Sequence, residues 1–263
     1  MKRKKNLYQK ICDIKTIMEM YDKNIRKNTK NKKKIQRFEH FYCCNMAKIK
    51  EQLITRTYQI GKYNVFLVRE PKARIIMSQD IEDKIVNHLV AKYFLIDVFE
   101  NSLSARNCAT RINKGTHYAL RLFKQDYNYY LNQYGKFYVL KLDISKYFYN
   151  LDHAIIKELV RHKIKDKDVL KIIDMIVDST DEEYVNHAIM SLKESEKNRI
   201  LKSDCHDKEK RLKEIEELPL YSKGKGVCIG NMVSQIVATF YLDEVDKFIT
   251  ETLNIKAYRK IYG

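Results

Sequence analysis

Residues 136–153 read Lys-Phe-Tyr-Val-Leu-Lys-Leu-Asp-Ile-Ser-Lys-Tyr-Phe-Tyr-Asn-Leu-Asp-His. An apolar run ends in the carboxylate of Asp143, and a short turn then presents Tyr147 and Phe148 before a helix-like stretch. A carboxylate closing a buried strand is unfavourable unless a cation meets it. A divalent metal held for phosphoryl chemistry would meet it, with an aromatic five residues on packing against the substrate. An Asp used as the N-cap of a following helix accounts for the same placement.

A second stretch, Lys223-Gly-Lys-Gly-Val-Cys-Ile-Gly-Asn, is a glycine-rich loop opening onto a helix. Backbone amides at such a start can face a phosphate or a nucleobase, and a plain turn before a helix would use the same glycines. Upstream, Arg69-Glu-Pro-Lys-Ala sits between two short β-type runs, 63–68 and 74–77, and reads as a hairpin with a basic tip.

The elements that would position these residues follow from hydrophobic periodicity. Helical faces run over 6–25, 35–58, 80–99 (with Asp80 as the cap), 116–134, 152–162 and 168–179. The Asn/Lys-rich run 28–34 reads as a loop. A strand over 137–143 precedes the 152–162 helix. A long helix over 231–253 would turn Val233, Ile236, Val237, Phe240, Val245, Phe248, Ile249 and Leu253 inward, and 255–262 reads as a closing strand. Residues 180–218 are highly charged without a long apolar run, and read as surface helices inserted between core elements. No internal repeat is visible.

The chain's 263 residues suffice for one large domain or two modest ones. Net charge is +17, and residues 1–37 carry 14 Lys/Arg against Asp13, Glu19 and Asp22. Such a balance favours a polyanionic partner, nucleic acid or an anionic membrane. A solvated basic arm, or the Lys/Asn excess of an AT-rich genome, would give the same counts. No apolar run approaches the ~20 residues needed to span a bilayer. The basic N-terminus lacks a signal peptide's apolar core, because Asp13, Lys15 and Glu19 interrupt it. The chain therefore reads as cytoplasmic and not membrane-bound. Its six cysteines form no Cys-x-x-Cys pair, which argues against a disulfide scaffold or a zinc-ligand pattern.

In order, the chain offers a basic hairpin, Lys114-Gly-Thr-His, Asp143 with Phe148, and Ile229-Gly-Asn-x-x-Ser-Gln opening a helix. That order resembles the fingers and palm of reverse transcriptases, closest to the prokaryotic group of group II intron, retron and diversity-generating-retroelement enzymes. The resemblance spans roughly 60–262 and rests on Leu142-Asp-Ile-Ser-Lys-Tyr-Phe-Tyr-Asn-Leu-Asp-His and Gly226-Val-Cys-Ile-Gly-Asn-Met-Val-Ser-Gln. Most such enzymes carry Gln where Ile229 stands. The form found here looks like the diversity-generating class or related phage-defence polymerases, and an Ile at this position implies lower copying fidelity.

The resemblance implies RNA-directed DNA polymerase activity by two-metal nucleotidyl transfer. Asp143 would bind two Mg²⁺ ions, with the Ile144 carbonyl completing one coordination sphere. Phe148 would exclude a ribose 2′-hydroxyl, Arg69 and Arg74 would grip the triphosphate, and Ile229, Gly230, Asn231 and Gln235 would line the templating pair. Arg111 and Lys114 would meet the template backbone or stabilise the fold. His117 is expected in a structural hydrogen bond, and Asp152 as a helix cap. The implied partners are an RNA template, a DNA or RNA primer, deoxynucleoside triphosphates and an accessory protein.

The family's second acidic motif, Tyr-x-Asp-Asp, does not occur before Ile261-Tyr-Gly, where the sequence stops. The chain thus reads as fingers and a partial palm, expected to be inactive alone. The expected fold is α+β and mostly helical: a basic helical extension (1–58), fingers with a projecting β-hairpin (59–135), and a partial palm (136–263) with the charged insertion 180–218. In the palm, a small antiparallel sheet would join 137–143 to a strand near 257–262. Two other functions use the same residues: a defence-associated polymerase making untemplated DNA, and a non-catalytic RNA-binding relic.

Overall fold

The computed structural model describes residues 7–204 and 206–261. Cys205, the first six residues of the 1–58 extension and the last residue of the 255–262 segment lie outside the described residues. The fold is α+β and mostly helical, with one two-stranded antiparallel sheet.

Three helices open the chain, α1 (Ile14–Met20, continued by a π-helical turn Tyr21–Arg26), α2 (Lys32–His40) and α3 (Tyr42–Thr55). Asp13 starts α1 by accepting from the Thr16 amide, and Asn31 starts α2 by accepting from Lys34. The hairpin β1 (Asn64–Val68) and β2 (Arg74–Ser78) follows, in register Val68↔Arg74 to Asn64↔Ser78. Next, α4 (Ile81–Val90) passes through a π-helical turn (Ala91–Ile96) into α5 (Asp97–Phe99). Asp80 precedes α4 but does not cap it; its carboxylate takes the Lys34 ammonium instead. After a loop come α6 (Thr116–Tyr134), the short α7 (Tyr147–Asn150), α8 (His153–Lys163) and α9 (Lys167–Asp178). The chain finishes with α10 (Glu183–Leu201), α11 (Lys208–Glu216), α12 (Met232–Tyr241) and α13 (Asp243–Lys247).

Two cores hold these elements. The larger takes α1 through Ile17, α3 through Leu53, α4 through Ile85 and Leu89, α8 through Ile156, and α12 through Val237, all essentially fully buried. Helix α9 buries Val169, Ile172, Ile173, Ile176 and Val177, the i, i+3, i+4, i+7, i+8 stripe of a one-sided helix. Phe99 stacks on Phe240 with centroids 3.9 Å apart, closing α5 over α12. The helices of the expected N-terminal extension are therefore integral to this core, and their lysines and arginines occupy its outer face.

The smaller core joins Ile75 and Met77 of β2 to Val185, Ile189 and Ile200 of α10, Ile215 of α11, Tyr221 and Cys228. Two expectations change here. The hairpin does not project, because its apolar face packs on α10. The 180–218 segment is more than surface: spaced single apolar residues, rather than a run, give it a buried side.

The expected palm sheet is absent among the described residues. Segment 137–143 is irregular, with Tyr138, Val139, Leu140 and Leu142 exposed, and near the C-terminus only Lys260 forms a bridge, with Asn107. A strand needs a partner for its peptide groups, and residues 137–144 make no backbone hydrogen bond among the described residues. The 231–253 helix is also not continuous. It breaks at Leu242, and beyond it Val245, Phe248 and Leu253 are exposed while Asp243 and Asp246 turn inward. Asp246 accepts from Tyr258 Oη at 2.5 Å and Asn107 Nδ2 at 3.2 Å, and burial raises its carboxyl pKa. A buried hydrogen-bonding set has replaced the apolar face that periodicity suggested.

Gly226 has φ +90°, and a Cβ there would lie 2.6 Å from a Tyr221 ring carbon and 3.0 Å from the Tyr149 carbonyl oxygen. Gly135, at φ +69°, has nothing within 4 Å of such an atom. Gly226→Ala should therefore lower the unfolding free energy, measured by chemical denaturation, by more than the about 1–3 kcal/mol of left-handed backbone strain alone. Gly135→Ala should lower it by no more than that.

Candidate functional site

The glycine loop 223–231 is where the chemistry-bearing segments meet. Its backbone pairs with the start of α8 and with α7: His153 N donates to Gly224 O at 3.0 Å, Gly226 N to Leu151 O at 2.7 Å, and Val227 N to Phe148 O at 2.8 Å. It also pairs with the hairpin, Met77 N donating to Ile229 O at 2.9 Å. Gly230, at φ +130°, brings the loop so close to β2 that a Cβ would stand 2.8 Å from Met77 O. Residues 74–78, 148–152 and 224–230 are thereby fixed to one another through peptide groups.

At this junction Ile229 is half-buried, and Gly230 and Gln235 are exposed at the start of α12. Phe148 is half-buried against the larger core, edge-on to Tyr147 at 5.9 Å. Beneath it Tyr149 stacks on Tyr221 at 4.7 Å, and burial pushes the Tyr149 phenol up to about 12. Tyr147 donates its hydroxyl to Ala238 O at 2.7 Å, anchoring α7 to α12. Asp152 caps α8, its Oδ1 accepting from Ala154 and Ile155 amides, as expected of it.

Asp143 and Ile144 are exposed, in the irregular segment before α7. The buried strand end inferred for Asp143 is not present. Its carboxylate makes no hydrogen bond or ion pair among the described residues, with neither a neighbouring amide nor an arginine occupying it. Magnesium was expected at this carboxylate and the Ile144 carbonyl. Among the described residues, the group of three His, Cys, Asp or Glu side chains close enough to share an ion is His153, Asp178 and Asp181, which excludes Asp143. One exposed carboxylate does not fit a two-ion centre, which needs several anionic ligands between the metals.

Other expected contacts are used elsewhere. Arg69 pairs with Glu196 on α10, while Arg74 at the start of β2 is exposed without an ion-pair partner among the described residues. Asn231 is 4 % exposed and caps α12, with Oδ1 accepting from Ser234 N at 2.7 Å, so it does not face a template. Arg111 is likewise structural. Its side chain is 7 % exposed, with Nε 2.8 Å from Glu100 and its two remaining nitrogens donating to the carbonyls of Ser104, Asn107 and Glu100. Lys114 turns its ammonium toward the Ala105 carbonyl at 3.4 Å. His117 is exposed, and its expected structural hydrogen bond is absent among the described residues. Arg111 and Lys114 belong to the loop before α6, which no hydrogen bond links to the glycine-loop junction among the described residues.

Sequence reasoning passed over His153, although it is the last residue of the Asp143 motif. Its signal was position, the first residue of a helix capped by Asp152, with Asp178 at the far end of the next helix and Asp181 in the turn that follows it.

In comparisons with known proteins, no family model matches this chain and no curated protein matches it.

Arg111→Ala should remove the charge that Glu100 and three carbonyls share. The Glu100 side chain is 39 % exposed, so the ion pair itself adds little. The loss comes from the carbonyls left without their donor, about 1–3 kcal/mol, and a drop of that order in unfolding free energy is expected. An unfolding free energy unchanged by Arg111→Ala would reverse the assignment.

Proposed function

We propose that this chain is the fingers and partial palm of an RNA-directed DNA polymerase of prokaryotic retroelement type. The observation that supports it is the junction itself, where β2 of the basic hairpin, Phe148 with the residues that follow it, and the glycine loop are hydrogen-bonded into one unit although more than 140 residues separate the first from the last. Asp143, five residues before Phe148, is not bonded into it. Gly230 and Gln235 lie open to solvent on that unit, where an incoming nucleotide and its template base would be read. A net charge of +17 favours RNA as the partner.

In this reading Arg74 holds the triphosphate with its planar fork, Phe148 packs against the sugar, and Ile229 and Gly230 shape the base-pair surface. Arg69 contributes only on release from Glu196. Asp143 supplies one of the carboxylates that nucleotidyl transfer requires, and no catalytic step is assigned to these residues without the others. A lone carboxylate on a basic surface also favours a second reading, a non-catalytic RNA-binding protein.

Photocrosslinking of a reactive deoxynucleoside triphosphate on a primed RNA template separates the two. The polymerase reading expects labelling of the β2 and glycine-loop peptides, reduced about tenfold or more by Arg74→Ala, the loss of one charge-assisted phosphate contact of about 1.5–3 kcal/mol. The same chain should show no Mg²⁺-dependent primer extension. Labelling indifferent to both Arg74→Ala and Asp143→Ala, with RNA binding that falls steeply as salt rises, would replace the polymerase by the RNA-binding protein.

A further inference from the structure

His153, the first residue of α8, is 3 % exposed. Its Nε2 lies 2.6 Å from the Gly226 carbonyl oxygen, which can only accept, so Nε2 carries a proton. Thr180 Oγ1 donates to the same carbonyl at 2.8 Å. In a neutral imidazole the other nitrogen, Nδ1, then presents a lone pair. Yet Nδ1 faces Asp178 Oδ1 at 3.2 Å and Asp181 Oδ2 at 3.5 Å. A lone pair set against two carboxylates calls for a cation between them.

The spacing indicates which cation. Both separations exceed the about 2.7–2.9 Å of a charge-assisted N–H···O⁻ bond. They match the about 3.3 Å edge of a tetrahedron whose corners lie about 2.0–2.1 Å from a zinc ion. One ligand atom from each of the three side chains lies within 4.8 Å of the others. The surroundings are built as ligand supports usually are: a backbone carbonyl fixes the His tautomer, and the Gly224 amide donates to Asp181 Oδ1 at 2.9 Å, leaving Oδ2 turned to the cluster. Lys157, one turn along α8, holds its ammonium 2.6 Å from Asp178. Its side chain is 22 % exposed, and a metal would displace it toward solvent.

We propose that His153 Nδ1, Asp178 and Asp181 form a site for a divalent transition metal of the zinc type, with solvent as the fourth ligand. The ion fastens the start of α8, the end of α9 and the glycine loop together. Imidazole donors suit zinc, cobalt and nickel rather than magnesium, so this site is distinct in kind from the centre expected at Asp143. The inference stands whether or not the chain is a polymerase.

Calorimetric titration of the metal-free full chain with Zn²⁺ alone, alongside thermal unfolding, tests it. One zinc ion per chain should bind and raise the unfolding midpoint. Asp181→Asn and His153→Gln should each weaken that binding at least about tenfold. Lys157→Gln should strengthen it, because the competing ammonium is gone. Zinc affinity unchanged by Asp181→Asn would place the ion elsewhere, the adjacent exposed Cys43 and Cys44 being one alternative, and would overturn the assignment. So would the absence of zinc binding in both wild type and Lys157→Gln, with nitrogen NMR showing both ring nitrogens of His153 protonated. Should either ligand variant fail to fold, the Lys157→Gln comparison decides alone: affinity equal to or below wild type counts against the site.

Discussion

The arrangement of this protein depends on the backbone hydrogen bonds of one short loop. Residues 224–229 donate to or accept from α7, the start of α8 and β2, so helix and hairpin are joined through peptide groups as well as through side chains. Neighbouring side chains of the loop then face opposite ways: Val227 enters the larger core and Cys228 the smaller. An extended stretch alternates in this manner by construction. Peptide groups buried between two cores have no water to fall back on. The bonds of the loop set the distance between the two cores of the molecule.

Around that joint the distribution of charge follows a simple division. Cations of the first helices stand in solvent, where single ion pairs contribute little and salt screens them. Cations nearer the C-terminus are held inside. Arg259 is clamped by Asp126 and lies over the Phe123 ring, and Lys260 donates to Thr239 O at 2.9 Å from a buried position. Burial lowers the pKa of the Lys260 ammonium. Basic residues thus serve two purposes in the same chain, and composition alone does not separate them.

That distinction marks where the sequence could be read and where it could not. The helices with a stripe of apolar residues, α9 above all, and the hairpin with its tip are visible in the letters, because their burial repeats with the period of their own geometry. Asp152 was legible as a cap because capping is a local event. For Arg111 two roles stayed open in the letters, template contact or fold support, and for Asn231 the buried cap was not visible, for the opposite reason: their partners, Glu100 with three carbonyls and the Ser234 amide in a buried setting, are fixed by tertiary contacts that spacing does not reveal. The strand inferred at 137–143 shows another limit. Tyr138-Val-Leu is a strong β-type run, but a strand is a property of two segments, and the second is not in place among the described residues. Likewise the inward turn of Asp243 and Asp246 runs against every hydropathy argument, and only their partners account for it.

The exposed run from Tyr138 to Ile144 has a consequence for how copies of this protein behave beside one another. Open peptide groups and apolar side chains on an extended segment invite edge-to-edge association. Lys141 lies within it and Lys136 and Lys146 flank it at five-residue spacing, so two such segments that approach bring positive charges near one another. This is electrostatic gatekeeping, and its range is the Debye length, about 10 Å at 0.1 M salt and about 3 Å at 1 M. Colloidal stability of the chain is consequently an ionic-strength property, greatest in dilute buffer and diminishing as counterions shorten the reach of those three lysines.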